Sequence, residues 1–524
     1  MLFTSYEFIG FLCLLFVLYY TVCRRIQWGL LLVFSYLFYW IANPWYLIYI
    51  LITTVTIYGA GMVIQSISDK GKAYLASAKE TITKEEKKAY KAGIKKSQKR
   101  WLVSCLIINF GILAGVKYTN FILGNLMSLT GGGLSLINII VPLGISFYTL
   151  QAASYVIDVY RGSIQAEKSF PRLALFVSFF PQLIQGPISR FGDLSGTLYE
   201  RHSFDPDRFC AGIERIMWGF FKKLVVADRI SPLVSTVSGN PQLYRGGYVF
   251  VLLFAYTIQL YADFTGGIDI TIGVAQALGI EIRENFNRPY FSKTLKEYWR
   301  RWHITMCEWF RNYVFYPVST SKWLQSVTKG CRKTIGDKAG RRIPVYIASF
   351  IVWLATGIWH GASWNFIVWG LLNWLLLMIG EELEGWSDGL EEKNHWRETL
   401  WFKGFRVLRT FLLVTVLNLF DCYESVGDTL GCFFSIFTGN MSVLGDGRLL
   451  ELGMTGADLI MAAIGVAVML LVSLMQRKGH IRKRLASRPF PARCVVWIGL
   501  FLVILVLGAY GIGYDGAQFI YNRF

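Results

Sequence analysis

Apolar positions recur along the chain in long runs, at roughly 6–23, 26–41, 45–67, 101–127, 137–157, 172–189, 210–227, 247–262, 345–359, 362–380, 404–420, 456–475 and 494–513. A helix standing upright in a bilayer needs about 20 apolar residues to cross it, and several of these runs fall short. Others are broken by Gly and Pro, as in "VPLGISF" and "FFPQLIQGPI". Such breaks predict re-entrant or tilted pieces buried inside protein, where non-helical backbone can find hydrogen-bond partners. The pattern therefore predicts an all-α, polytopic integral membrane protein with about eleven transmembrane helices, supplemented by re-entrant and interfacial helices. No repeat or linker divides it, so residues 1–524 read as one multi-pass domain whose C-terminal helices occupy 381–524.

The longest weakly apolar stretch, 281–344, contains "RENFNRPYFSKTLKEYWRRWHITMCEWFRNYVFYPV" and then a basic loop. Projected at 3.6 residues per turn, 295–316 places Leu295, Tyr298, Trp299, Trp302, Met306, Trp309, Phe310 and Tyr313 on one face. Glu297, Arg300 and Arg311 fall opposite, which predicts a helix lying along the membrane interface. His303 falls about 100° from the centre of the apolar face, where the buried side would meet the polar side.

Composition agrees with this pattern. The chain is 54% hydrophobic and 17% charged, with 18 Trp, 28 Tyr and 38 Phe, more apolar surface than one soluble core can hide. A net charge of +19 could indicate nucleic-acid binding, but the basic residues sit in the segments between apolar runs and so report topology. Residues 69–100 hold 11 Lys/Arg against 4 Asp/Glu, and 477–493 hold 7 Lys/Arg with no acid. Both are expected on the cytoplasmic side, which together with Arg24 and Arg25 after the first run puts the N-terminus outside. The first run has no basic residues before it and no small-residue cleavage site, so it is expected to be retained. Nine cysteines are scattered without a CxxC or a Cys/His cluster, and no metal site is expected.

Five histidines occur. His202, His395 and His480 lie in polar or basic loops and read as solvated or near headgroups. His360, in "TGIWHGASW", stands between two apolar runs, where an ionisable group is costly unless it faces a cavity or a partner. Gly357 and Gly361 would allow close helix packing, which accounts for the glycines but not for the imidazole. A neutral imidazole in a water-poor site can act as a general base toward a hydroxyl; a hydrogen-bonded core histidine is the alternative. For His303 the alternative is an interfacial histidine held among tryptophans. Asp263, in "QLYADFTGGIDITIG", is expected to orient a histidine or to cap a helix broken at Gly266–Gly267. Asp158 has a structural partner in Arg161, three residues on. No G-x-S-x-G, H-E-x-x-H, Walker or dinucleotide motif is present.

Taken in order, "FFPQLIQGPISRF", "IQLYADFTGG", "ENFNRPY", "YWRRWHITMCEWFRNYVFYP" and "TGIWHGASWNFIVWGL" resemble the membrane-bound O-acyltransferase family, in particular its bacterial branch that acetylates alginate or peptidoglycan. The likeness extends over nearly the whole chain, through "VPLGISFYTLQAASYVIDVYRG", "FFKKLVVAD" and the ending "GAQFIYNRF". It implies that His360, in the Trp-His-Gly motif with Trp359, is the catalytic base, and that His303, after Trp302, is the second functional histidine, beside a central tunnel. Asp263, Trp359, Trp302 and Asn312 would be supporting residues. The chain departs from the family pattern at Asn312, where Asp is common, at Thr265 and Gly267 in the Asp263 motif, and at "NLFDCYES" late in the chain; both histidines are intact.

The resemblance further implies an acyl, in first place acetyl, transfer from a cytoplasmic thioester, acetyl-CoA or an acyl carrier protein, with no bound cofactor. The acceptor would be a hydroxyl of an exported cell-surface polysaccharide or of an extracytoplasmic partner protein, at the bacterial plasma membrane. D-alanyl transfer to teichoic acid from a carrier-protein thioester is the alternative within the enzyme class. A transporter with broken helices and intramembrane His and Asp is the alternative outside it, but the chain lacks the internal symmetry that such a protein would show.

Overall fold

A computed structural model describes residues 3–21, 25–132, 135–394, 399–479 and 481–510, and among them every regular element is a helix. Contacts gather the chain into two compact units, Met1–Phe209 with Ala275–Ile282, and Cys210–Val274 with Arg283–Phe524. His395, His480 and the terminal "GAQFIYNRF" lie outside the described residues.

The first unit opens with α1 (Tyr6–Tyr20), α2 (Gln27–Ala42), α3 (Tyr46–Ser77) and α4 (Lys84–Thr130). At 1.5 Å per residue, the 32 residues of α3 and the 47 of α4 extend well beyond a hydrocarbon core of about 30 Å. The basic 69–100 segment is therefore not a loop. It consists of the polar ends of these two helices, turned at Ala78 and restarted by a capping box in which Thr83 and Glu86 satisfy each other's backbone N–H groups. Inside the bilayer length the pair is joined by Gln98 donating to the Ile64 carbonyl and Asn109 donating to Thr56. Next come α5 (Ile145–Arg161), α6 (Phe170–Ser178), α7 (Phe180–Leu183) and α8 (Phe191–Leu198). Phe8, Phe11, Phe34, Phe38 and Phe180 stack into an aromatic core. The apolar run 172–189 is broken as the sequence predicts: two short helices and a cis Gly186–Pro187 bond replace a spanning helix. Arg161 lies 4.0 Å from Asp158, the pairing expected from their spacing. His202 is half-buried and tied into the fold rather than solvated, its ring bonded to the Thr197 carbonyl and its backbone to Gln27.

From α9 (Pro206–Phe220) the chain passes through a π-helical turn, Phe221–Ala227, into α10 (Asp228–Gly239) and then α11 (Gly247–Leu278). The short α12 (Leu295–Trp299), α13 (Ile304–Phe310) and α14 (Tyr316–Ser319) lead to the basic α15 (Lys322–Ile335), α16 (Asp337–His360) and α17 (Trp364–Asn394). The remainder is α18 (Leu400–Leu417), α19 (Val426–Thr438), α20 (Gly456–Met475), α21 (Ile481–Ala486) and α22 (Phe490–Leu507).

Among the described residues seven helices are long and apolar enough to cross a membrane: α3, α4, α11, α16, α17, α20 and α22. Three shorter apolar helices, α1, α2 and α19, have 10–17 residues. The count is smaller than the eleven inferred from apolar runs because several runs fold as short or interrupted helices whose apolar side chains are buried by other protein. In α5 and α6 most side chains are buried.

Candidate functional site

The second unit holds both candidate histidines, and the sequence places them by different devices. His360 is the last residue of α16. The turn behind it depends on glycine: a Cβ on Gly357 would lie 2.5 Å from the Phe366 carbonyl, and one on Gly361 would lie 2.2 Å from the Phe366 ring. Across from them, a Cβ on Gly370 would meet the Trp353 carbonyl at 2.5 Å. Gly357 and Gly370 let α16 and α17 approach backbone to backbone, and Gly361 makes room for the Phe366 ring. Asn365 then anchors the start of α17 by donating to the Tyr423 carbonyl and to Thr429. The result is a His360 ring 7% exposed, with its centroid 4.7 Å from Trp369, 5.1 Å from Trp359 and 6.2 Å from Phe366.

His303 departs from the helical projection. Residues 295–316 do not form one interfacial helix: α12 ends at Trp299, and α13 begins at Ile304. Between them His303 adopts a left-handed backbone (φ 45°, ψ 53°), rare for a residue with a Cβ and worth about 1–3 kcal/mol of strain. The break is stabilised from outside. Asn285 accepts through its backbone oxygen from the N–H of Ile304, and through Oδ1 from the N–H of Thr305 at 3.1 Å and its hydroxyl at 2.9 Å. Asn287 donates its N–H to the Arg301 carbonyl. The segment 285–287 thus supplies the bonds that a continuous helix would have made itself.

In consequence His303 is 0% exposed instead of lying at a polar boundary. Its ring is edge-on to Phe264 at 5.0 Å and 6.0 Å from Trp359, while Nδ1 lies 3.3 Å from Asn285 Oδ1. Burial, with the nearby His360 adding to it, holds the His303 imidazole well below its ordinary pKa, so it is neutral at physiological pH.

Trp359 borders both histidine rings, and Trp302 backs the pocket by packing on Phe264, Phe286 and Tyr298. Trp299 is fixed among Trp353 and Trp369 by an indole N–H bond to Asn373. Aromatic side chains thus surround both imidazoles on the sides named. Asn312 lies in the π-helical turn Arg311–Phe315, half-buried. Among the described residues no group of three His, Cys, Asp or Glu could hold a metal ion, and eight cysteines are free thiols.

Asp263 occupies a different setting from the one expected. The helix α11 runs unbroken through Gly266 and Gly267. Gly266 serves a helix crossing, since a Cβ on Gly219 would lie 2.6 Å from the Gly266 carbonyl and one on Gly266 would lie 2.9 Å from the Gly219 carbonyl. Asp263 receives a hydrogen bond from Lys223 at 2.6 Å, and the same ammonium contacts Asp228 at 2.7 Å. Two turns along α11, Asp269 is bound by Lys222 and Arg215, and Arg215 forks onto Glu284. Hydropathy could not reveal these ion pairs because Lys222 and Lys223 lie within an apparently apolar run. Asn285 lies inside "ENFNRPY", but nothing local marks its role, which depends on a tertiary contact with residues 18–20 positions later.

These features define a polytopic membrane protein with two buried histidines in an aromatic cluster. A model of the membrane-bound O-acyltransferase family matches residues 164–328. The chain is 31% identical over 505 residues to "Probable alginate O-acetylase AlgI" of Pseudomonas syringae pv. tomato, a match covering 94% of this chain and 86% of that protein. It is 30% identical over 305 residues to "Peptidoglycan O-acetyltransferase" of Helicobacter pylori, spanning 53% of this chain and 55% of the relative. To "Teichoic acid D-alanyltransferase" of Bacillus subtilis it is 27% identical over 276 residues, spanning 50% and 65%. The chain belongs to the membrane-bound O-acyltransferase family and is an enzyme of that family.

Proposed function

We propose that this enzyme moves an acetyl group from a cytoplasmic thioester, acetyl-CoA or an acyl carrier protein, to a hydroxyl of an exported cell-surface polysaccharide or of an extracytoplasmic partner protein. The observation that carries the reading is the pair of buried histidines bordering one tryptophan, Trp359, in an aromatic pocket. The names of the relatives that match over most of their length add the polysaccharide acceptor. In this reading the enzyme sits in the bacterial plasma membrane with its N-terminus outside.

His360 removes the hydroxyl proton as that oxygen attacks the thioester carbonyl. The new C–O bond forms, the C–S bond breaks, and the departing thiolate recovers the proton from the imidazolium. Excluding water favours transfer over hydrolysis of the thioester. Trp359 and Trp302 line the histidines, and Asn312, in the turn after α13, is a supporting residue. Asp263 supports the site indirectly, by fixing α11 to the turn that carries Lys223.

The test is mass spectrometry of cell-surface polymers from strains carrying the wild-type gene, His360→Ala, or no gene. Acetyl ester should disappear in both mutants while the variant protein remains at wild-type abundance. Normal ester in the His360→Ala strain would refute the role of His360. Loss of alanyl in place of acetyl ester would move the donor to an aminoacyl carrier, the reading favoured by the likeness to teichoic acid D-alanyltransferase.

A further inference from the structure

Asn285 is buried, 0% exposed, and lies 18 residues before His303 on the irregular segment that hydrogen-bonds to the helix break. Its amide orientation follows from chemistry. The backbone N–H of Thr305 can only donate, and it points at one end of the Asn285 side chain at 3.1 Å; that end must therefore be the oxygen. The Thr305 hydroxyl reaches the same atom at 2.9 Å. An amide oxygen can only accept, so the ring nitrogen facing it, His303 Nδ1 at 3.3 Å, must carry a hydrogen.

We infer that Asn285 is a positioning residue that locks His303 as the neutral tautomer protonated at Nδ1, leaving a lone pair and no hydrogen at Nε2. The catalytic consequence rests on the acyl-transfer reading above. With Nδ1 committed to Asn285, His303 Nε2 can only accept, so it cannot donate a hydrogen bond to the oxyanion of a tetrahedral intermediate, and the single hydroxyl proton is left to His360. The left-handed backbone of His303 and the tautomer lock come from the same residue, because Asn285 bonds the first two residues of α13 through both its backbone and its side chain.

The tautomer can be read directly in the intact protein by nitrogen NMR of uniformly 15N-histidine-labelled enzyme in lipid. The chain has five histidines, and the His303 signal is the one lost in His303→Gln. The expected signal is a neutral ring protonated at Nδ1, unchanged between pH 6 and 8 and retained in His360→Ala. A ring protonated at Nε2 would overturn the inference without reference to activity or to any Asn285 variant.

The functional arm uses two substitutions. Asn285→Ala should lower kcat by about 10–100-fold, the size of effect that removing the orienting partner of a metal-bound histidine has, with KM little changed. Asn285→Asp retains the acceptor, so it should keep the Nδ1-protonated ring and recover part of kcat, with the acid side of the pH–rate profile moved upward by the added carboxylate. Full activity in both variants, or an Asp variant no better than Ala with equal folded yield, would refute the positioning role. Wild-type enzyme that shows the tautomer but transfers no acyl group would sink the proposed function and leave the tautomer assignment standing.

Discussion

Lys223→Met tests the buried ion cluster on α11 most severely. The Lys223 side chain is 2% exposed and neutralises two carboxylates, Asp263 at 1% and Asp228 at 9% exposure. At an effective dielectric of about 20, each contact near 2.7 Å is worth about 6 kcal/mol before desolvation, so the net value is set by what the carboxylates do once the ammonium is gone. Methionine fills the same volume but leaves them without their cation, and the cheapest response is protonation. For a carboxyl of ordinary pKa near 3.9, that costs about 1.4 kcal/mol per pH unit, or about 4 kcal/mol at pH 7. Asp228 adds little, since burial already pushes its pKa up to about 7 despite the neighbouring Lys223. The expected loss is therefore about 4 kcal/mol at pH 7, within the range of about 3–5 kcal/mol for breaking a buried pair. The same arithmetic gives about 1.5 kcal/mol at pH 5. Unfolding by SDS in mixed micelles, followed by tryptophan fluorescence at both pH values, measures the deficit. Adding Asp263→Asn to Lys223→Met should recover most of it. A deficit independent of pH, or a double variant no more stable than the single one, would show that the cluster does not hold the helices as argued.

Two further outcomes follow from the site. Gly357→Ala places a Cβ 2.5 Å from the Phe366 carbonyl, a backbone atom that cannot swing away; it should cost about 1–3 kcal/mol of stability and, by displacing His360 three residues on, reduce kcat more than it reduces Tm would suggest. Thermal melts and acyl-transfer rates on the same preparation check both halves, and a fully active variant would rule out the close helix contact. His303 is held neutral in the folded state, so its contribution is complete above the ordinary imidazole value near 6.5 and is lost as pH falls below it, by roughly 1.4 kcal/mol per unit, down to its depressed pKa. Wild-type enzyme should lose more stability than His303→Gln between pH 7.5 and 5.5, and parallel losses would contradict the burial of a neutral ring.

The sequence made some of this legible and hid the rest for definite reasons. His360 was visible because a polar residue interrupts apolar runs, and local glycines mark the helix contact around it. The break at Gly186–Pro187 was visible for the same reason: backbone that cannot continue a helix is encoded by residue type. The continuous helix over 295–316 was not borne out, although its apolar period is good, because Asn285 and Asn287 compete for the backbone of 301–305 from 14–20 residues away. Periodicity measures a local preference and contains no term for such a competitor. The charges on 215–228 were hidden by the opposite effect. A hydropathy window averages Lys222 and Lys223 into their apolar neighbours, and only the crossing of α9 and α11 brings Asp263 and Asp269 to them.

The two kinds of miss bear on catalysis together. Glycine contacts and ion pairs fix the backbone of α11, α16 and α17 from within the unit, and the Asn285 bonds fix the left-handed backbone around His303. A general base gains from being held: its proton acceptor must wait in the reactive orientation in a pocket too dry for solvent to reorganise around it. His360 is held by helix packing, which tolerates no added carbon at Gly357, and His303 by hydrogen bonds, which tolerate no lost acceptor at Asn285. The prediction separating the two devices is that Gly357→Ala should leave the His303 tautomer unchanged, while Asn285→Ala should leave the α16–α17 contact intact. A disulfide-scanning pair across α16 and α17 that forms equally well in wild type and Asn285→Ala would support this division, and loss of that cross-link in Asn285→Ala would show that both histidines depend on one coupled support.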